Sequence, residues 1–234
     1  MKTIGLIGGM SWQSSKFYYE YLNEIVAEKL GGTHSAKILM SSVDFAEIEK
    51  LSFEDNWERI GQLMAIEASR LEKAGADVLL LATNTIHMVA QAIETSISIP
   101  FLHIARATGD AIAAKGLKKV GLLGTQFTME RDFYKSILAE EYGLEVMIPE
   151  AEDRAFLQTL IYNELVKGNF TEAGKRACLE IINSLVAKGA EGVILGCTEL
   201  PILIPKEEVS IPTFDTTMIH SLAAVHTALP NLLK

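Results

Sequence analysis

The chain has 234 residues, is 49 % hydrophobic and carries a formal net charge of −9 at neutral pH. That is enough apolar material for one large or two small domains with a real core, and it excludes a disordered chain. The acidic balance argues against nucleic acid as a partner, because phosphate contacts need clustered Lys and Arg, yet it leaves room for a small anionic substrate held by local donors.

No apolar run approaches the roughly 20 residues that a bilayer span needs. The stretch Met1 to Met10 has one basic residue, a short apolar core and no small-residue cleavage site after it, so it reads as a first strand and not as a signal. Two cysteines, Cys178 and Cys197, are too few for a disulfide framework and fit a reducing cytoplasm, the expected location.

In chain order, Thr3 to Gly8 makes a strand, and Gly8-Gly9-Met10-Ser11 turns into a helix beginning near Ser14 and stopping at Gly31-Gly32. Two glycines at such a turn let backbone N–H groups approach a ligand, but the phosphate-loop patterns are missing. Lys37 to Val43 reads as strand two. A charge-rich surface stretch, Glu47 to Asn56, overlaps the start of one long amphipathic helix from Ser52 to Gly75. Next come a strand over Asp77 to Leu81, the polar turn Thr83-Asn84-Thr85, a helix from about Ile86 to Thr95, and a short strand over Ile99 to His103.

The pattern then starts again. Gly121-Leu-Leu-Gly-Thr125 echoes Gly5-Leu-Ile-Gly-Gly9, and at nearly the same separation Cys197-Thr198 echoes Ala82-Thr83. The approaches to those turns match too, and Ile211-Pro212 echoes Ile99-Pro100. Matched landmarks at near-constant offset imply two similar α/β halves with parallel sheets, 1–100 joined by 211–234, and 101–210. Thr217 to Leu229 reads as a closing helix.

The segment Val193-Ile-Leu-Gly-Cys-Thr-Glu-Leu-Pro201 is the informative one. A short apolar run without helical period reads as a buried parallel strand, and ligands of open α/β sheets gather at the carboxyl ends of strands. Cys197 stands at such an end, with a hydroxyl and a carboxylate following it. If equivalent strand ends converge, Gly9-Met10-Ser11 and Thr83-Asn84-Thr85 line one wall of a cleft, and Thr125, Thr128, Cys197, Thr198 and Glu199 line the other. Such turns offer many hydrogen-bond donors and few cations, which suits an amino-acid carboxylate. Cys178 sits at helical spacing and is assigned to the core. The five histidines have no metal-ligand spacing, so no metal is expected; His87 is placed either beside the site or in packing, and Trp12 is expected to pack beside the first turn.

The pieces Gly8-Gly9-Met10-Ser11, Thr83-Asn84-Thr85-Ile86-His87 and Ile194 to Pro201 together resemble the aspartate/glutamate racemase family, over most of the chain. Glu199 after Cys-Thr and His87 after Asn-Thr look more like its aspartate branch. The resemblance implies two pseudo-symmetric domains with the active site at their interface, no cofactor, and a cysteine from each domain on either face of the substrate α-carbon. One thiolate would remove the α-proton and the opposite thiol would return one, which requires a stabilised thiolate. It implies Cys197 and the Ala82 position as acid/base sites, and Met10, Ser11, Thr83, Asn84, Thr85, Thr125, Thr128, Lys167, Thr198 and Glu199 as substrate-binding. It leaves homodimerisation open.

The chain departs from this pattern where the first motif should read Cys-Thr-Asn-Thr: it has Ala82-Thr83-Asn84-Thr85. The intact neighbours favour a Cys-to-Ala variant of a competent enzyme over a one-cysteine member with altered or lost activity. The arginine expected after the second strand has no counterpart in Ser42 to Ala46, and Lys167 is set against the commoner reading of an exposed helix-end lysine. Two further readings stay open: a one-cysteine lyase of the same superfamily, resembling arylmalonate decarboxylases, and a non-catalytic amino-acid-binding paralogue.

Overall fold

The computed structural model describes residues 1–230, and the chain divides into two compact units: 1–104 with the chain from Thr217 onward, and 105–216. In the first unit the elements run β1 (Ile4–Gly8), α1 (Trp12–Leu30), β2 (Ile38–Ser42), α2 (Phe45–Phe53), α3 (Trp57–Lys73), β3 (Val78–Leu81), a 3-10 turn (Thr85–Val89), α4 (Ala90–Glu94) and β4 (Phe101–Leu102). In the second they run α5 (Ile104–Ala113), β5 (Lys119–Gly124), α6 (Gln126–Glu130), α7 (Asp132–Tyr142), β6 (Glu145–Met147), α8 (Ala151–Asn163), α9 (Glu172–Ala187), β7 (Gly192–Gly196), α10 (Leu200–Leu203) and β8 (Thr213–Asp215); α11 (Thr216–Ala228) follows.

Each unit is built on a four-stranded parallel sheet, ordered β2-β1-β3-β4 in one and β6-β5-β7-β8 in the other. The orders are the same once β5 to β8 are matched to β1 to β4, as the repeated landmarks imply. The division differs from the sequence-based boundaries. Phe101–Leu102 pairs with β3 and stays in the first unit, whereas Thr213–Asp215 pairs with β7 and belongs to the second, so the chain returns only at Thr217. Backbone pairing, which the linear pattern does not reveal, makes that assignment.

Alternation along the buried strands distributes the first unit's core over both faces of its sheet. Ile4, Leu6, Val78, Leu80 and Ala82 face one way, against Tyr18, Leu22 and Val26 of α1 and Ala224, Val225 and Ala228 of α11. Ile7, Leu79 and Leu81 face the other, against Ile48 of α2 and Ile60, Met64, Ala68 and Leu71 of α3. Both faces are covered, so the strands are continuous apolar runs.

Three local expectations are corrected. The single helix from Ser52 to Gly75 is two, α2 and α3, broken where Asp55 adopts a φ of 55° and Asn56 caps α3 by accepting the Arg59 N–H at 3.2 Å. Asp and Asn bond their own backbone and tolerate the left-handed region, so Glu54-Asp55-Asn56 outweighs the amphipathic pattern. Trp12 opens α1 and is 66 % exposed, not packed on the turn before it. The helix expected from Ile86 starts as a 3-10 turn, because the Thr83 carbonyl accepts from Nδ1 of the His87 ring at 2.6 Å while the His87 N–H turns to the Asn84 carbonyl.

His87 belongs to a buried histidine cluster. Its Nε2 accepts the Ile104 N–H at 3.2 Å, which makes Nδ1 the protonated nitrogen. His220 of α11 lies with Nε2 2.8 Å from the Leu102 carbonyl and Nδ1 2.9 Å from the Tyr18 hydroxyl, so Nε2 carries its proton. The His103 ring centroid is 4.6 Å from that of His87. Burial holds His87 well below the usual imidazole range and brings His220 down to about 4.

Two outcomes follow from this packing. Gly9 has a φ of 97°, and an added Cβ would come within 2.3 Å of the Val43 carbonyl oxygen; Gly9→Ala should cost at least about 2 kcal/mol of stability, read from urea midpoints. The unfolded chain binds protons at His220 from about pH 6.5 downward and the folded one only near pH 4. Stability is therefore full above pH 7, falls by about 3 kcal/mol as pH drops through that window, and changes no further on this account below it. Urea midpoints between pH 8 and 4.5 should fall at least that far, because buried His87 acts in the same direction, and His220→Gln should remove the His220 share of the fall.

Candidate active site

In the second unit, β5 and β7 end side by side, with Gly124 paired to Gly196. A Cβ on Gly196 would lie 2.8 Å from the Leu123 carbonyl oxygen, and one on Gly124 would lie 2.9 Å from that of Gly196. Only glycine lets the two ends approach so closely, and the turns that follow carry the polar side chains. Thr125 caps α6, accepting the Thr128 N–H at 3.2 Å, and the two hydroxyls are 3.2 Å apart. From the neighbouring strand end, the Cys197 thiol donates to Glu199 Oε2 at 3.0 Å, and the Thr198 hydroxyl donates to the same oxygen at 2.8 Å. Thr216, which the sequence reading did not single out, donates its hydroxyl to the Leu195 carbonyl at 3.0 Å. The signal for it was present: strand β8 is followed directly by two threonines, Thr216 and Thr217, the pattern already read at the other strand ends.

Cys197 is 8 % exposed and Glu199 is 2 % exposed. Burial first, and the Glu199 charge second, push the thiol well above the ordinary cysteine range, against the pull of the Glu199 and Leu200 backbone N–H groups. The thiol is therefore the resting form at neutral pH. This corrects the expectation of a stabilised thiolate. The helix that would supply a positive end, α10, has only four residues, and a carboxylate stands beside the sulfur instead.

The first unit repeats the plan with different side chains. Ala82 follows β3 as Cys197 follows β7, and its N–H bonds the Ile7 carbonyl at 2.8 Å, which sets it beside the Gly8-Gly9 turn. Its methyl group is wholly buried in the cluster with Leu80, Tyr18 and Ala224. Thr83, Asn84 and Thr85 are buried beyond it, and His87 holds the Thr83 carbonyl. Ser11 caps α1 by accepting the Ser14 N–H at 3.3 Å.

Two of the expected substrate-binding residues are placed differently from that expectation. The Met10 side chain packs in the core with Ile7, Met64 and Leu81; the turn at Gly9, with its φ of 97°, breaks the strand alternation that would have put Met10 on the face of Leu6. Lys167 is exposed at the end of a 3-10 turn (Leu165–Lys167) before Gly168, and no described contact joins it to the Thr125 and Cys197 turns. Cys178 is a core residue of α9, as read from its spacing, with burial raising its thiol to about 12. No helix among the described residues is long and apolar enough to cross a membrane.

The family model for Asp/Glu/hydantoin racemases matches residues 7–224. A candidate Asp/Glu racemase from Yersinia pestis is 46 % identical and superposes with a TM-score of 0.91, over 98 % of this chain and all of that one. An aspartate racemase homologue from Pyrococcus horikoshii is 36 % identical with a TM-score of 0.85, over 97 % of this chain and 99 % of that one. The broad specificity amino-acid racemase RacX of Bacillus subtilis is 27 % identical over 162 residues, 69 % of either chain. With the doubled parallel sheet and the polar strand ends, these matches place the chain in the Asp/Glu/hydantoin racemase family.

Proposed function

We propose that this chain is an amino-acid racemase scaffold for aspartate or glutamate that works without a cofactor by proton transfer at Cα, and that it retains one of two acid/base groups. The observation that carries the reading is the Cys197 thiol: buried, at the end of a central strand and bonded to a Glu199 oxygen that the Thr198 hydroxyl shares, with the Thr125 and Thr128 hydroxyls on the turn after the adjacent strand. The relatives' names, an aspartate racemase homologue and a broad specificity amino-acid racemase, support the substrate class.

In this reading, donors at the strand-end turns hold the substrate carboxylates and stabilise the charge that develops on the α-carboxylate as the proton leaves. Cys197 serves one face of the α-carbon. In the two-thiol scheme that the family resemblance implies, the second thiol would stand at position 82, and Ala82 has no proton to give, so side chains at these two positions cannot complete an inversion. A hydroxyl- and amide-rich pair of turns suits a dicarboxylic amino acid better than the aryl group of a lyase substrate.

Binding should survive the loss of one acid/base better than turnover does. L-aspartate or L-glutamate should raise the melting temperature in proportion to the logarithm of its concentration; the absence of any shift with all four D and L dicarboxylic amino acids would remove the substrate assignment. Racemisation by the Ala82 chain should be absent or reduced by about 10²- to 10⁴-fold relative to Ala82→Cys, the usual worth of one positioned acid/base. Chiral chromatography reads the inversion, NMR in D2O reads exchange at Cα, and released CO2 reads the lyase alternative. An Ala82→Cys chain that binds substrate and does not invert it would leave a binding paralogue in place of the racemase.

A further inference from the structure

A resting thiol cannot act as a base until its own proton has somewhere to go. Cys197 is nearly closed to water, and the acceptor at hydrogen-bond distance is Oε2 of Glu199, 3.0 Å from the sulfur. The Thr198 hydroxyl, bonded to that same oxygen at 2.8 Å, fixes it in place. Among the described residues, the charge that bears on the thiol is that of Glu199; the other groups acting on it are the Glu199 and Leu200 backbone N–H groups.

We infer that Glu199 is the proton-holding partner of Cys197, a positioning residue that accepts the thiol proton when Cys197 attacks the substrate α-proton and returns it afterwards. This rests on the reading of Cys197 as the remaining acid/base. The S–H bond breaks and an O–H bond forms on Oε2; the thiolate then takes the α-proton, forming a new S–H bond, and the Cα–H electron pair delocalises into the substrate carboxylate. The Cys197–Glu199 pair now holds two protons. Their interchange, or exchange with solvent, before one returns to Cα puts a solvent proton on the same face. Transfer inside the pair leaves its net charge at −1, so no additional charge is created in a buried site, where it would be costly.

The test uses the full chain and Glu199→Gln, whose amide oxygen still accepts from Thr198. In D2O with L-aspartate or L-glutamate, Cα exchange by the Ala82 chain should be flat between pH 6 and 9. In Glu199→Gln it should fall at least about 10²-fold at pH 7 and then rise about tenfold per pH unit with the thiolate fraction. A second arm needs no substrate: iodoacetamide alkylation, followed by the mass of the Cys197 peptide, should have a lower pH midpoint in Glu199→Gln because the neighbouring charge is gone. If Glu199→Gln fails to fold by circular dichroism, Glu199→Asp keeps the carboxylate and should keep the flat profile at a reduced rate. An unchanged exchange rate and flat profile in Glu199→Gln, a sloping profile in Glu199→Asp, or an unchanged alkylation midpoint overturns the inference. If the Ala82 chain exchanges no dicarboxylic amino acid, the racemase reading fails, and the alkylation midpoint still decides whether the Glu199 carboxylate acts on the Cys197 thiol.

Discussion

A parallel strand buried on both faces has no side for polar chemistry, only an end. Every residue of β1, β3 and β7 is buried, their backbone groups are paired with neighbouring strands, and helices cover both faces of the first unit's sheet. Polar side chains can enter only where the strand stops and the chain turns. In the first unit that constraint gathers Ser11, Thr83, Asn84 and Thr85 at adjacent strand ends, and in the second Thr125, Thr128, Cys197, Thr198 and Glu199. The glycines that precede these turns serve the same end, because two side chains could not share the space between Gly124 and Gly196.

Burial then decides the protonation states. Around Cys197, desolvation and a carboxylate act in one direction and two backbone N–H groups act in the other; the first pair prevails and the sulfur rests as a thiol. In the first unit the same desolvation acts on imidazoles with the opposite consequence for charge, keeping His87 and His220 neutral. Neutral imidazoles can donate and accept at once. His87 uses this to tie the Thr83 carbonyl to the Ile104 N–H, joining the polar turn after β3 to the chain leaving β4.

Ala82 is the asymmetry in an otherwise repeated plan. It occupies in the first unit the place that Cys197 occupies in the second, one residue past the strand that pairs with the first strand of its sheet. Its methyl group lies in phase with Leu80 and joins the apolar cluster beneath α1 and α11, whereas the matching position of the other unit carries a reactive group. The surrounding Thr-Asn-Thr turn and its histidine support are nonetheless kept.

Much of this was readable in one dimension. The apolar runs ending in Gly-Cys-Thr-Glu and Ala-Thr-Asn-Thr, and the recurrence of Gly-Leu-Ile-Gly as Gly-Leu-Leu-Gly, determined by themselves that the protein is a doubled α/β structure with polar strand ends, since burial period and turn chemistry are local properties of sequence. Local competition misled where two local signals met, as at Asp55 and Asn56, where capping outweighed the apolar period of a longer helix. What only the tertiary structure decided are the relations set by partners distant in sequence. Pairing with β7 assigned Thr213–Asp215 to the second unit, and packing sent Met10 into the core. Tyr18, Leu102 and His220, separated along the chain, met in one buried cluster. The state of Cys197 was decided there as well: the sequence placed a carboxylate two residues away, but the sharing of one oxygen by thiol and hydroxyl depends on a backbone turn closed off from water.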